Sequence, residues 1–170
     1  MSVNNQHAIA QLNQMFQEKF IATLGEIWEE TPEIAELAWH DKPFKDIEAL
    51  YRAMIDIVQN MSDREQFSLI KAHPDLGTKA KMADASVQEQ AGIGLDRLSE
   101  SEYERFQNLN QAYKDKFGFP FIVAVKYHTK ESILEAFATR LNNTQEQEKQ
   151  QALNEISKIA RLRLESLFEA

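Results

Sequence analysis

Apolar residues recur at helical spacing along most of the chain. Between residues 12 and 29 they fall at Leu12, Met15, Phe16, Phe20, Leu24, Ile27 and Trp28, which predicts one amphipathic helix. Pro32 suits a first helical turn, where its missing N–H has no intrahelical partner to lose. It predicts a short helix through Ile34, Leu37 and Ala38. After an interruption at Pro43, Asp46 predicts the start of a helix through Leu50, Met54, Ile57 and Val58. Residues 62–72 read as another helix, 73–85 as a loop containing Pro74, Gly77 and Asp84, and 86–91 as a short helix. A long helix follows through Tyr103, Phe106, Leu109 and Tyr113, then two more over 131–141 and 144–168.

The breaks carry their own signals. Four Ser or Thr residues have an acid or amide three positions on: Ser62 with Glu65, Ser86 with Glu89, Ser99 with Glu102, and Thr144 with Gln147. That spacing is the capping box, in which each side chain satisfies a free backbone donor of the helix start. Only five Gly and four Pro interrupt the chain, and there is no internal repeat. The segment Gly118-Phe-Pro-Phe-Ile-Val-Ala-Val125 is apolar, contains proline and is too short for a helix of its own. It is expected to be extended and buried. One isolated extended segment makes no sheet, so the expected class is all-α. The expectation is a single-domain bundle of about eight helices over residues 1–170, with one short extended buried segment. A chain of 170 residues can bury roughly two-thirds of its unfolded surface in one core.

Composition removes several chemistries. There is no cysteine, hence no disulfide, thiolate nucleophile or cysteine-bound zinc or iron–sulfur site. The formal charge is −8, and no basic patch is segregated from it, so no nucleic-acid partner is expected. Arg161 and Arg163 alternate with apolar residues inside a helical pattern. No apolar run approaches a membrane span. The start, Met1 to Gln6, lacks the basic and apolar regions of a secretory leader, and Phe168-Glu-Ala170 is no peroxisomal signal. A cytoplasmic location is expected.

Four segments could carry chemistry. In Ala72-His-Pro-Asp-Leu-Gly77 the proline turns the backbone out of a helix end and fixes where His73 points. A histidine so placed can act as an acid–base group near neutral pH. It can equally do no more than cap its own helix C-terminus. His73 and Asp75 also resemble a metal pair, but two ligands are fewer than a site needs. Ser86-Val-Gln-Glu-Gln90 can cap its helix or use the same free N–H groups to hold a substrate carboxylate. Phe121-Ile-Val-Ala-Val125 can be plain core, or its unpaired backbone can bind an amide-rich heterocycle as a neighbouring strand would. Arg161 or Arg163, if turned inward, needs an anionic or carbonyl partner. His7, His40 and His128 read as structural or exposed.

Taken in order, these segments resemble one family. His73-Pro-Asp-Leu76, then Ser86-x-x-Glu-Gln-Ala-Gly92, then Leu109-Asn-x-x-Tyr-x-x-x-Phe-Gly-Phe-Pro-Phe-Ile122, then Ile159-Ala-x-Leu-Arg-Leu164 resemble the 2-oxo-4-hydroxy-4-carboxy-5-ureidoimidazoline (OHCU) decarboxylases of urate breakdown. Lys42-Pro-Phe44 fits the same pattern. One departure is the segment between His73 and Ser86, which is a few residues shorter than in many relatives.

The resemblance implies an all-helical homodimer that needs neither metal nor organic cofactor and yields (S)-allantoin. It implies that His73 is the catalytic acid–base residue and that Glu89 faces the reacting centre. Pro74 would line the pocket. Ser86, Val87, Gln88, Glu89 and Gln90 would hold the substrate, as would backbone groups of Phe121, Ile122, Val123, Ala124 and Val125. Arg163, the arginine of the Leu-Arg-Leu motif, would bind substrate rather than Arg161. Urate oxidase, fused to a similar domain in some relatives, and hydroxyisourate hydrolase would be pathway neighbours, this chain carrying the decarboxylase portion alone. Two rivals make different predictions. A non-catalytic helical interaction module, with aromatic and Met residues lining partner grooves, predicts no turnover. A metal-dependent hydrolase built on His73 and Asp75 predicts inhibition by a chelator.

Overall fold

The computed structural model describes residues 3–169, with side chains from Asn5 onward. Met1, Ser2 and Ala170, on which the leader and C-terminal readings partly rest, lie outside the described residues. Nine α-helices, one 3-10 turn and no strand occur among the described residues. The helices are α1 Val3–Gln14, α2 Gln17–Leu24, α3 Glu33–Trp39, α4 Ile47–Asn60, α5 Asp63–Lys71, α6 Asp84–Gly92, α7 Glu100–Phe117, α8 Lys130–Arg140 and α9 Gln145–Glu169. The 3-10 turn is Val125–Tyr127. The protein is all-α, and none of the described helices is long and apolar enough to cross a membrane.

The single helix expected over 12–29 does not form. The Met15 carbonyl leaves the helical ladder to accept the Trp39 indole N–H at 2.9 Å and the Lys42 ammonium at 2.6 Å. Phe16 is extended and 85% exposed, so α1 and α2 are separate. After Leu24 the chain turns, with Glu30 in the left-handed region at φ 43°. Ile27 and Trp28 are buried from turns rather than from a helix face. Of the seven apolar positions, Leu12, Phe20, Leu24, Ile27 and Trp28 are core, whereas Met15 is half-buried and Phe16 exposed. Periodicity could not see two side-chain donors competing for one carbonyl.

The described backbone divides into two compact units. One comprises the chain up to Leu69 together with 157 onward, and the other is Ile70–Ile156. The chain passes between them inside α5 and again inside α9. In the first unit α2 packs on α3 and α3 on α4, burying Phe20, Leu24, Trp28, Ile34, Leu50 and Met54. Each such side chain contributes about 1.5–3 kcal/mol. Asp46 caps α4 by accepting the Ala49 N–H at 2.8 Å.

The second unit is organised on aromatic rings. Phe121 stacks on Phe137 with centroids 3.8 Å apart, and Tyr113 meets Phe117 at 4.5 Å. The expected capping boxes at Ser99 and Thr144 form, as does the one at Ser62 in the first unit. A further box, Thr129 with Ser132, starts α8. Gly118 ends α7 in the left-handed conformation, φ 81°.

Candidate active site

His73 follows α5 by two residues, its N–H bonded to the Ile70 carbonyl at 3.2 Å. It is 7% exposed, so the histidine lies inside rather than on a solvated helix end. The next residues are held by side chains. Three consecutive carbonyls each accept a side-chain amide: Asp75 from Gln90 at 3.3 Å, Leu76 from Asn110 at 2.8 Å, and Gly77 from Gln107 at 3.3 Å. Gln90 also accepts the Gly77 N–H at 3.0 Å. The Asp75 carboxylate pairs with the Lys114 ammonium at 2.7 Å. Gln107, Asn110 and Lys114 follow one another at spacings of three and four, so one face of α7 supplies all three.

Residues 86–90 lie on α6, but Ser86 is not its cap. The helix starts at Asp84, with Ala83 as an extended capping residue that makes no side-chain bond. The expected box of Ser86 with Glu89 is therefore corrected: Ser86 is the third residue of the helix. An acidic side chain, Asp84, occupies the first turn instead, where it favours the helix dipole. Ser86 and Gln90, four apart, are buried at 5% and 4% exposure. Val87 and Gln88 are exposed, and Glu89 is half-buried. Gln90 ties this helix to the His73 loop, and the helix also packs against the 3-10 turn. His73, Pro74, residues 86–90 and Val125 thus belong to one connected part of the second unit.

The segment from Phe121 to Val125 is buried throughout. Two charged side chains grip it. Arg140 donates to the Ile122 carbonyl at 2.7 Å and lies 4.3 Å over the Phe121 ring. Glu155 accepts the Ala124 N–H at 3.1 Å. Among the described residues Val123, between these grips, makes no hydrogen bond. The Arg140 guanidinium also bonds Glu148 at 2.7 Å, and Tyr113 donates its hydroxyl to the same carboxylate oxygen. Burial, reinforced by that bond to Glu148, pushes the Tyr113 hydroxyl well above the ordinary tyrosine range. Sequence reasoning missed Arg140, Glu148, Glu155, Asn110 and Gln107. A signal was present for some of them. Asn110 continues the buried stripe Phe106, Tyr113, Phe117 of α7, and Glu148 and Glu155 share the buried face of α9 with Ala152. A polar residue inside an apolar stripe needs a buried partner.

Arg163 lies in the first unit. Its side chain is turned inward, 8% exposed, and its guanidinium pairs with Glu29 at 2.8 Å. It also donates to the Glu26 carbonyl at 3.4 Å. Arg161 is more open and bridges Glu48 at 2.7 Å and Glu165 at 3.0 Å. Those carboxylate bonds, first to Glu165 and then to Glu48, raise its pKa. Of the two arginines, the motif residue is the one drawn inward. His7 and His40 are exposed, and His128 is half-buried against the Ser132 hydroxyl at 2.9 Å.

Among the described residues no group of three or more His, Asp or Glu is placed to hold a metal ion. Asp75, the second ligand of the hydrolase alternative, is instead paired with Lys114. The family model for OHCU decarboxylase matches residues 13–165. This chain belongs to the OHCU decarboxylase family. An OHCU decarboxylase of Halalkalicoccus jeotgali is 46% identical over 159 residues, covering 94% of this chain and 90% of that protein. A uric acid degradation bifunctional protein of Bacillus subtilis is 47% identical over 157 residues, covering 92% of this chain and 32% of that protein. A solved structure of an (S)-allantoin synthase superimposes with a TM-score of 0.77 at 34% identity, covering 94% of this chain. This member of the OHCU decarboxylase family spans 53% of that synthase.

Proposed function

We propose that this protein decarboxylates 2-oxo-4-hydroxy-4-carboxy-5-ureidoimidazoline to (S)-allantoin in urate degradation. The observation that carries the reading is the buried His73, in a chain of the OHCU decarboxylase family, on a loop tied through Gln90 to α6. The relative's name describes a ring carbon bearing both hydroxyl and carboxylate, beside the carbon that bears the ureido group. When the carbon–carbon bond to the carboxylate breaks, carbon dioxide leaves. The electron pair moves toward the adjacent carbon–nitrogen double bond, whose nitrogen takes a proton. The resulting enol then ketonises as its hydroxyl proton leaves and a proton reaches the ureido-bearing carbon. One proton is consumed overall. The substrate is its own electron sink, so the protein's work is to position it and deliver protons to one face.

In this mechanism His73 manages the protons and Glu89 orients the substrate hydroxyl or the imidazole. Ser86 and its neighbours on α6 hold the substrate beside Pro74. The peptide groups around Val123 pair with the ring amides, for which the grips on Ile122 and Ala124 leave them in place. Arg163 binds the ureido or carboxylate group, on the strength of its motif match. The match to one family model on both sides of each crossing between the units supports reading residues 1–170 as one decarboxylase domain. A homodimer in the cytoplasm, working beside urate oxidase and hydroxyisourate hydrolase, completes the proposal. The bifunctional relative of uric acid degradation is consistent with such neighbours.

The test generates substrate in place from urate with urate oxidase and hydroxyisourate hydrolase, and follows circular dichroism. Spontaneous decay also gives allantoin, but as a racemate, so optical activity rather than total product is the readout. The protein should give rapid build-up of (S)-allantoin, undiminished by a chelator. His73→Ala should lose about 10²- to 10⁴-fold in rate while keeping its far-ultraviolet spectrum. An unchanged slow drift to racemate with the unaltered protein would remove the decarboxylase reading and favour the interaction module.

A further inference from the structure

We infer that Gln90, Asn110 and Gln107 form an amide cradle that positions His73, and that Gln90 acts through this loop rather than by touching the substrate. The inference rests on the acid–base reading of His73. The family motif makes residue 90 a substrate ligand, yet its carboxamide is already committed at both ends. Its oxygen accepts the Gly77 N–H at 3.0 Å and its nitrogen donates to the Asp75 carbonyl at 3.3 Å. The same nitrogen lies 3.3 Å from the Met82 sulfur. With Asn110 on Leu76 and Gln107 on Gly77, no carbonyl from Asp75 to Gly77 lacks an amide donor.

This arrangement suits its place. The loop has no helix or strand to satisfy its backbone, and Leu76 and Gly77 are buried. Buried peptide groups must be bonded, and each bond here also fixes the chain immediately after His73-Pro74. Neutral amides do this without adding a charge beside the imidazole. Gly77 sets the cradle's shape: its φ is 68°, and a Cβ there would approach the Leu98 Cδ1 to 2.8 Å. A loop held in that way can keep an imidazole within the few tenths of an ångström that proton transfer demands.

The experiment compares Gln90→Leu, Gln107→Met and the unaltered protein in the optical assay. His73 is followed at the same time by NMR of its labelled imidazole across pH 5 to 9. If the cradle positions His73, Gln90→Leu lowers kcat by roughly 10- to 100-fold, changes KM by less than about 2-fold and moves the His73 ring resonances. Gln107→Met, the milder change on a half-buried residue, does the same to a smaller degree and keeps the test open if Gln90→Leu folds poorly. A rise in KM at constant kcat with His73 resonances unmoved would make Gln90 a substrate ligand and overturn the inference. Unchanged kinetics and resonances in both variants would overturn it too. Inactivity of the unaltered protein, by contrast, would count against the decarboxylase reading, and the resonances would still report on the cradle.

Discussion

The second unit contains two stretches outside its α-helices, 75–77 and 121–125, and they satisfy their backbones in different ways. From Asp75 to Gly77 every carbonyl accepts a neutral amide, which holds the chain that follows His73-Pro74. From Phe121 to Val125 charged side chains take the Ile122 carbonyl (Arg140) and the Ala124 N–H (Glu155), and the 3-10 turn takes the Ala124 and Val125 carbonyls through the Tyr127 and His128 N–H groups. Val123 is left between Ile122 and Ala124. A loop whose carbonyls are all taken steadies a side chain, whereas a segment with open groups at Val123 presents its backbone. The support also differs in kind. Charges hold the second segment, and their burial makes them costly to break. The ion pair of the first, Asp75 with Lys114, is partly open, with the lysine side chain 37% exposed.

That contrast predicts unequal costs. Arg140→Met would leave the fully buried Glu148 carboxylate without its cation and release the Ile122 carbonyl. Breaking one partner of a buried pair costs about 3–5 kcal/mol, which urea unfolding would show as a large fall in midpoint. Lys114→Met breaks a half-open pair and should cost about 0–1 kcal/mol. Similar losses in the two variants would dissolve the distinction.

A smaller effect sharpens it from the backbone side. Gly77→Ala forces a left-handed residue to carry a Cβ, about 1–2 kcal/mol, and also drives that Cβ toward Leu98. Gly118→Ala has the same backbone demand, φ 81°, but open space around the new carbon. Thermal unfolding should therefore rank Gly77→Ala as the more damaging. Only Gly77→Ala should also slow the optical assay, because only it moves the chain behind His73.

What the sequence revealed follows the same division. Helices that rest on periodicity and capping, such as α4 behind Asp46 and α7 behind Ser99, were legible because their causes lie within a few residues. The break at Met15 was not, since its donors Trp39 and Lys42 stand far along the chain. The start of α6 at Asp84 was missed because the serine-to-glutamate spacing mimics a cap, whereas the backbone places the capping residue at Ala83, three positions earlier. Motif order brought out His73 and the 86–90 helix. It could not show that Gln90 spends its amide on Asp75 and Gly77, because that use depends on where the loop folds back. Arg140 and Glu155 lie outside every motif, and their link to residues 121–125 appears only when helices α8 and α9 are in place.

The last prediction uses pH to separate the two supports. Tyr113 stays protonated in the folded protein well above 10.0, its ordinary value, chiefly because it is buried and also because its hydroxyl bonds the Glu148 carboxylate. In the unfolded chain it ionises near that ordinary value. The unfolded state therefore binds fewer protons than the folded state once pH passes 10. The stability contributed by this tyrosine is fully present below that point, begins to fall there and is lost as pH rises toward the higher folded-state value. The amides on Asp75 to Gly77 do not titrate there, and Tyr51, whose pKa burial also raises, contributes alike with and without Tyr113. The part of the decline that Tyr113→Phe removes therefore belongs to the charged support of residues 121–125. Melting temperatures measured from pH 8 to pH 11 should fall more steeply for the unaltered protein than for Tyr113→Phe, in which no phenol titrates at that site. Near pH 8 the order of stabilities should reverse in favour of the unaltered protein, which keeps the bond to Glu148. Parallel curves across the whole range would mean that the buried cluster around Glu148 does not govern the alkaline limit.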